Sequence, residues 1–197
     1  MNALSNGKTG SPAPHGVDDA VGVGGGKWFA AVVNHNAERS SATKLGAEGF
    51  ECFAASQTEM RQWRNGRKSR VERIVISSII FVRCTERQRL AIVQRPYIFR
   101  FLTDKASGND AGRGRVAVIP DIQIERLRFM LGNSDTPVEV SSTPLEPGRR
   151  VRVVRGSLRG LEGEIISTPD GKDELYVRLD HLGCARLTID RLDVEAL

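Results

Sequence analysis

The stretch EPGRRVRVVRGSLRGLEGEII, residues 146–166, constrains the fold more than any other part of this chain. Val151 and Val153 alternate with Arg150 and Arg152, the period-two pattern of a strand with apolar side chains inward and charges outward. Gly156 and Gly160 free the backbone for a tight turn, and Gly163 lets a neighbouring strand come close. Further runs at 163–168, 174–179 and 185–190, and a short one near Asp193, read as strands. Between them Pro169-Asp170-Gly171 suits a type I turn with glycine last. Short, evenly spaced strands of this kind predict a small β-barrel over 148–197.

The other half reads differently. WFAAVV at 28–33 is an unbroken apolar run, as in a central strand covered on both faces. Asn34-His35-Asn36 offers caps for a helix over 37–48, with Ala37, Ser41 and Leu45 on one face and Gly49 after its end. A mixed strand over 51–63 is followed by the turn signal Asn65-Gly66 and by strands at 69–76 and 79–83. Thr85 and Gln88 form a capping box opening a short helix, with Leu90 and Val93 inward and Pro96 as its limit. A strand at 97–102, a loop at 103–114 and a strand at 115–119 lead to a helix begun by Pro120-Asp121, with Ile124, Leu127 and Leu131 at helical spacing and Gly132 at its end. The order β-α-β-β-α-β-α predicts a ferredoxin-like α/β sandwich over 28–132, so the fold class is α+β. Residues 1–27, rich in Gly, Ser, Asn and Pro, read as a disordered tail, and the Ser/Thr/Pro-rich 133–147 as a linker.

Composition narrows the function. With 197 residues and 40% hydrophobic content, two small cores are within reach. The net charge of +5 favours a polyanionic partner. Cys52, Cys84 and Cys184 are far apart, with no CxxC and no Cys/His cluster, so neither a zinc site nor a disulfide framework is indicated. GVGGGK at 22–27 lacks the spacing of a phosphate loop. His15, His35 and His181 are scattered, and no GxSxG, HExxH or paired-carboxylate pattern is present. No catalytic residue, metal or cofactor is therefore expected. Nor is there a signal-peptide core or an apolar run near 20 residues, which leads to the expectation of a soluble cytoplasmic protein without membrane contact; a monomer is expected as well.

One segment carries a binding signal of its own. Arg61, Arg64, Arg67, Lys68, Arg70 and Arg73, against Glu59 and Glu72, leave +4 over 59–73, with Trp63 among them. Such a hairpin is either a solvated charged surface or a nucleic-acid contact in which Trp63 stacks on a base or a guanidinium.

The residues Gly148, Val151, Val153, Gly156, Leu158, Gly160, Leu161, Gly163 and Ile165 resemble a KOW motif, an SH3-like barrel. WFAAVVNHNAERSSATKL, VERIVISSIIFVR and IPDIQIERLRFML resemble the first strand and helix, the central strand pair and the last helix of the NusG N-terminal domain. With EMRQW at 59–63 and RLDHLGCARLTI at 178–189, the chain is most similar to the UpxY-type NusG paralogues of capsular polysaccharide operons. Where the family carries Pro-Leu-Phe-Pro this chain has Ile74, Val75, Ile76 and Ser77, its family Tyr position is Ile79, and Tyr97 replaces the usual Gly after Pro96.

The resemblance implies an antitermination or elongation factor rather than an enzyme. Val32, Ile76, Ile79 and Phe81 would meet the clamp helices of bacterial RNA polymerase, unless they are ordinary sheet core. Arg61, Trp63, Arg64, Arg67, Lys68 and Arg70 would lie near upstream or non-template DNA. Thr85, Glu86 and Arg87 would touch the opposite polymerase lobe, although the capping box accounts for Thr85 without a partner. Arg152, Arg155, Leu158, Arg159, Gly160 and Leu161 would meet ribosomal protein S10, termination factor Rho or RNA. The alternative is an RNA- or ribosome-binding KOW protein with no polymerase role.

Overall fold

The computed structural model describes residues 25–64, 66–104, 114–141 and 148–197. β1 (Lys27–Val32) lies at the centre of an antiparallel sheet of order β2-β5-β1-β6, formed with β2 (Glu51–Phe53), β5 (Ile79–Cys84) and β6 (Arg100–Phe101). β7 (Val118–Ile119) pairs with Trp28 and Phe29 while β6 pairs with Ala31 and Val32, so the two short strands occupy successive lengths of β1. The apolar run of β1 is explained by this position, since both faces of the sheet are covered. Phe29, Ala31, Val33, Ile80, Val82 and Cys84 share one core with Leu45 of α1 (Glu38–Ala47) and Ile92 of α2 (Glu86–Ile92). Trp28, Ala30, Ile79 and Phe81 share the other with Ile124, Leu127, Met130 and Leu131 of α3 (Asp121–Asn133).

Several expectations shift by local geometry. The strand expected at 51–63 is two: β2, and β3 (Ser56–Gln62), which pairs with β4 (Lys68–Ile74) in a separate two-stranded sheet. Of the strand expected at 97–102 only β6 is ladder-paired; Phe99 and Leu102 donate single bonds to Val32 and Ala30. α1 has Ala37 at its N-cap with no side-chain cap, because Asn36 takes φ 64° instead of capping. α2 does open on the Thr85/Gln88 capping box, but Leu90 points outward, 58% exposed, and Ile92 is the buried anchor. Gly132 lies inside α3, whose last residue is Asn133.

The C-terminal half is a six-stranded antiparallel sheet of order β13-β9-β10-β11-β12-β8. It comprises β8 (Glu139–Ser141), β9 (Arg149–Val153), β10 (Glu162–Ser167), β11 (Asp173–Leu179), β12 (Gly183–Ile189) and β13 (Val194–Ala196). Val151 and Val153 are buried and Arg150 and Arg152 exposed, as the alternation requires. A Cβ at Gly163 would sit 2.4 Å from the Tyr176 carbonyl oxygen, so only glycine lets β10 and β11 approach this closely. The small β-barrel expected over 148–197 is seen only as this β-rich sheet, without closure. Among the described residues no ladder joins β13 to β8, and the sheet stays open.

The expected linker is also partly structured. Glu139–Ser141 form β8 on the edge of β12, with Val140 packed on the core and Glu139 paired to Arg186 at 2.8 Å. The expected tail lies outside the described residues up to residue 24; Lys27 already belongs to β1.

The two halves share one apolar cluster, which holds the α3 residues together with Val151, Leu175 and Val177 of the C-terminal sheet and Leu158 and Leu161 of the turn between β9 and β10; α3 packs against β11. Polar ties reinforce it. Arg126 pairs with Glu162 at 2.7 Å, and the Asp180 amide donates to the Gln123 side-chain oxygen at 2.7 Å. Among the described residues no helix is long and apolar enough to cross a membrane.

Candidate nucleic-acid and protein interfaces

The β3–β4 hairpin is built by seven paired positions, from Ser56↔Ile74 to Gln62↔Lys68. Opposed residues of an antiparallel pair share a face. Arg61 and Ser69 therefore lie on one face, and Met60 with Arg70 and Gln62 with Lys68 on the other. The end is closed by hydrogen bonds from the Trp63 amide to Arg67 and from the Gly66 amide to Trp63, with Gly66 at φ 78°, a conformation glycine adopts without strain. Trp63 joins the Arg61 face: its indole N–H donates to Ser69 Oγ at 2.8 Å, and the Arg61 guanidinium stands 5.1 Å from its ring centre. Arg61, Arg64, Arg67, Lys68 and Arg70 are all exposed. Both hairpin carboxylates are engaged nearer the base, Glu59 with Arg73 at 2.5 Å and Glu72 with Arg39 at 3.0 Å.

The apolar candidates end up elsewhere. Ile76 and Ile79 are buried, Phe81 is fully buried and stacked on Phe53 at 5.7 Å, and Val32 is half-buried on the same core. All four lie on the α3 side of the N-terminal sheet. In this arrangement they are core, the reading that sequence left open beside the contact.

Thr85, Glu86 and Arg87 are exposed at the start of α2. Thr85 is occupied by the capping box, its hydroxyl accepting from the Gln88 amide, and Glu86 pairs with Arg89 at 2.8 Å. In the C-terminal half Arg152, Arg155 and Arg159 are exposed and Gly160 takes φ 92° at the turn. Leu158 and Leu161, expected on the partner surface, are buried instead, because the tight turn folds both back into the shared cluster.

Two buried polar side chains escaped the sequence reading. Glu38 is 1% exposed, and its carboxylate accepts the Ser78 amide at 2.6 Å. Ser78 holds φ 61°, costly for a residue with a Cβ, and Glu38 stabilises that turn just before Ile79. Burial works against the charge of Glu38, but amide hydrogen bonds from Ser78, Glu38 itself and Asn36 prevail and hold its pKa below the usual carboxylate value. Gln57 is 3% exposed and grips the segment leaving α3: its amide nitrogen donates to the Ser134 and Thr136 carbonyls, and its oxygen accepts the Val138 amide at 2.8 Å. An acidic residue in a first helical turn hinted at Glu38; nothing local marked Gln57, whose partners lie about 80 residues on.

Cys52, Cys84 and Cys184 are free, and burial pushes the thiols of Cys52 and Cys84 up to about 12. Such thiols stay protonated near neutrality and make poor nucleophiles and metal ligands. Among the described residues no group of three or more His, Cys, Asp or Glu side chains is placed to hold a metal.

The family model described as "Transcription termination factor nusG" matches residues 26–128, just over half the chain. Among solved structures, that described as "Domain interaction in Thermotoga maritima NusG" is 16% identical, covers 88% of this chain and 98% of its own, and has a TM-score of 0.43. The MjSpt4:Spt5 complex in conformation A is 14% identical, covers 86% of this chain and 97% of its own, and has a TM-score of 0.27. No curated protein matches the chain.

Proposed function

The chain belongs to the NusG family, and from that premise we propose that it is a transcription elongation and antitermination factor acting by contact rather than by catalysis. The family match carries this reading. In it, the N-terminal half binds bacterial RNA polymerase through the surface around Val32, Ile76 and Ile79 and favours the elongating state over paused and terminating ones. Such a shift requires tighter binding to the elongating form. Because Ile76 and Ile79 are buried here, engagement requires the apolar cluster shared by the two halves to open. Phe81, fully buried, supports that surface from beneath.

The basic hairpin contacts upstream or non-template DNA, with Thr85, Glu86 and Arg87 as a minor second polymerase contact. The C-terminal sheet, read as a KOW module, recruits a second factor such as ribosomal protein S10 or Rho through Arg152, Arg155, Arg159 and the turn at Gly160. The resemblance at 59–63 and 178–189 supports a specialised, UpxY-type role on capsular or exopolysaccharide operons, and a cytoplasmic monomer is the form in which this works.

The test offers core RNA polymerase to the immobilised full chain and measures readthrough on a terminator template. Retention with raised readthrough is expected; no retention refutes the reading. A second reading is favoured by the exposure of Arg149, Arg150, Arg152, Arg155 and Arg159 together with the burial of Ile76 and Ile79: an RNA- or ribosome-binding protein. It predicts RNA retained and polymerase not.

A further inference from the structure

One buried carboxylate stands behind the surface around Val32, Ile76 and Ile79. We infer that Glu38 is a positioning residue for that surface: it locks the turn before β5 into the one shape that presents Ile76 and Ile79 beside Val32. This rests on the reading of these three residues as the polymerase contact.

Three observations lead there. First, Glu38 serves two left-handed turns at once. Its carboxylate accepts the Ser78 amide at 2.6 Å and is within reach of the Asn36 amide and its own. Asn36 stands at φ 64° and Ser78 at φ 61°. One turn joins β1 to α1, the other β4 to β5. Asparagine tolerates this conformation, whereas serine is strained by it.

Second, the turn that carries Ser78 is gripped from several sides. Besides the bond to Glu38, the Ser78 carbonyl accepts the Val33 amide at 2.9 Å, and the Val75 amide donates to the Ala55 carbonyl at 2.8 Å. Val32, Ile76 and Ile79 each adjoin a residue so tied.

Third, the placement of Glu38 is a costly one. A carboxylate in the first turn of a helix favours the helix dipole while it stays in water. Glu38 is instead almost fully buried, which works against its charge, and only the amides around it make that burial tolerable. Glycine at position 78 would reach the same φ with no carboxylate, but it would leave the turn free to take other shapes. Serine together with Glu38 leaves one. While the two halves share their cluster, packing also holds Ile76 and Ile79. Once the cluster opens, the pinned turn alone keeps them in place. A surface that keeps its shape loses little freedom when a partner lands on it.

The experiment titrates immobilised core RNA polymerase with the full chain, well below its melting temperature. There a change in stability alone barely alters the folded fraction, and so leaves the apparent affinity unmoved. Glu38→Gln should weaken binding about 10- to 100-fold, the range for a hydrogen bond to a charged group. In a Ser78→Gly background the same change should cost less than about 3-fold, because the turn no longer needs the carboxylate. Ser78→Thr keeps the hydroxyl, but its branched side chain disfavours this φ, so it should weaken binding with Glu38 intact. Circular dichroism melts establish that each variant is folded at the assay temperature; if Glu38→Gln is not, Ser78→Thr decides.

Glu38→Gln or Ser78→Thr bound as tightly as the parent would overturn the proposal. So would equal losses from Glu38→Gln in the parent and in the Ser78→Gly background, since Glu38 would then act by a route other than the turn. A parent chain that polymerase does not retain would overturn the polymerase reading, and this role of Glu38 with it.

Discussion

The hairpin and the turn at 156–161 make an instructive pair. Both are glycine-turned, arginine-rich and studded with large apolar residues. In the turn, Leu158 and Leu161 fold under and join a core that spans both halves. In the hairpin, Met60 and Trp63 stay out at 63% and 49% exposure. The difference is what lies beneath. The turn leucines have a packed cluster beneath them, where apolar area gains about 25 cal/mol per Å² by leaving water. The hairpin tip has no second layer. An apolar side chain thus has a competitor inside its own chain for any outside partner, whereas a cation has few.

Four changes sharpen or break this contrast. Leu127→Ala, at a fully buried position of α3 in the shared cluster, should cost about 2–5 kcal/mol. A thermal melt followed in both halves should show them falling together. Separate transitions would mean that the cluster does not couple them.

Gln57→Ala strands the Val138 amide and takes the side-chain donor from the Ser134 and Thr136 carbonyls, the second of which keeps the Ser134 hydroxyl at 2.7 Å. A loss of about 1–3 kcal/mol is expected by urea denaturation, with faster proteolysis near residue 136.

The third change is acid. The Glu38 carboxylate has a lowered folded pKa. Its contribution is therefore complete near neutrality, above the ordinary carboxylate range, and is lost as the pH falls through that lowered value. Glu38→Gln should flatten this part of the stability–pH curve, which denaturant melts at several pH values would show.

The smallest effect is Arg64→Ala on the exposed hairpin end, with stability within about 0.5 kcal/mol of the parent but DNA binding weakened at low salt. A large loss of stability would mean the arginine is structural and would erase the contrast.

Sequence carried the alternating valines of β9, the glycine turns, the capping box of α2 and the apolar centre of β1, because each is written in residues next to one another. What it missed depends on distance. Leu90 and Ile92 are equally apolar; only the docking of α2 on the sheet decides that Ile92 is covered. β8 hides in a Ser/Thr/Pro-rich stretch, where Val138 and Val140 were its only signal and β12 its distant partner. The same limit applies to the candidate site. Basic residues with a tryptophan are legible as a contact, but whether Ile76 and Ile79 face outward depends on α3 and the sheet that follows it.

β8 also sets a length. While it stays zipped to β12, the chain between α3 and the C-terminal sheet runs only from Asn133 to Glu139, a contour on the order of 20 Å even if Gln57 releases it. Unzipped, it would run to Gly148, with a contour on the order of 50 Å. Three ladder positions thus act as a reef in a sail. Whatever the C-terminal half holds is kept within arm's length of the N-terminal half until those positions let go, and then searches a sphere more than ten times larger by volume, since volume grows as the cube of reach.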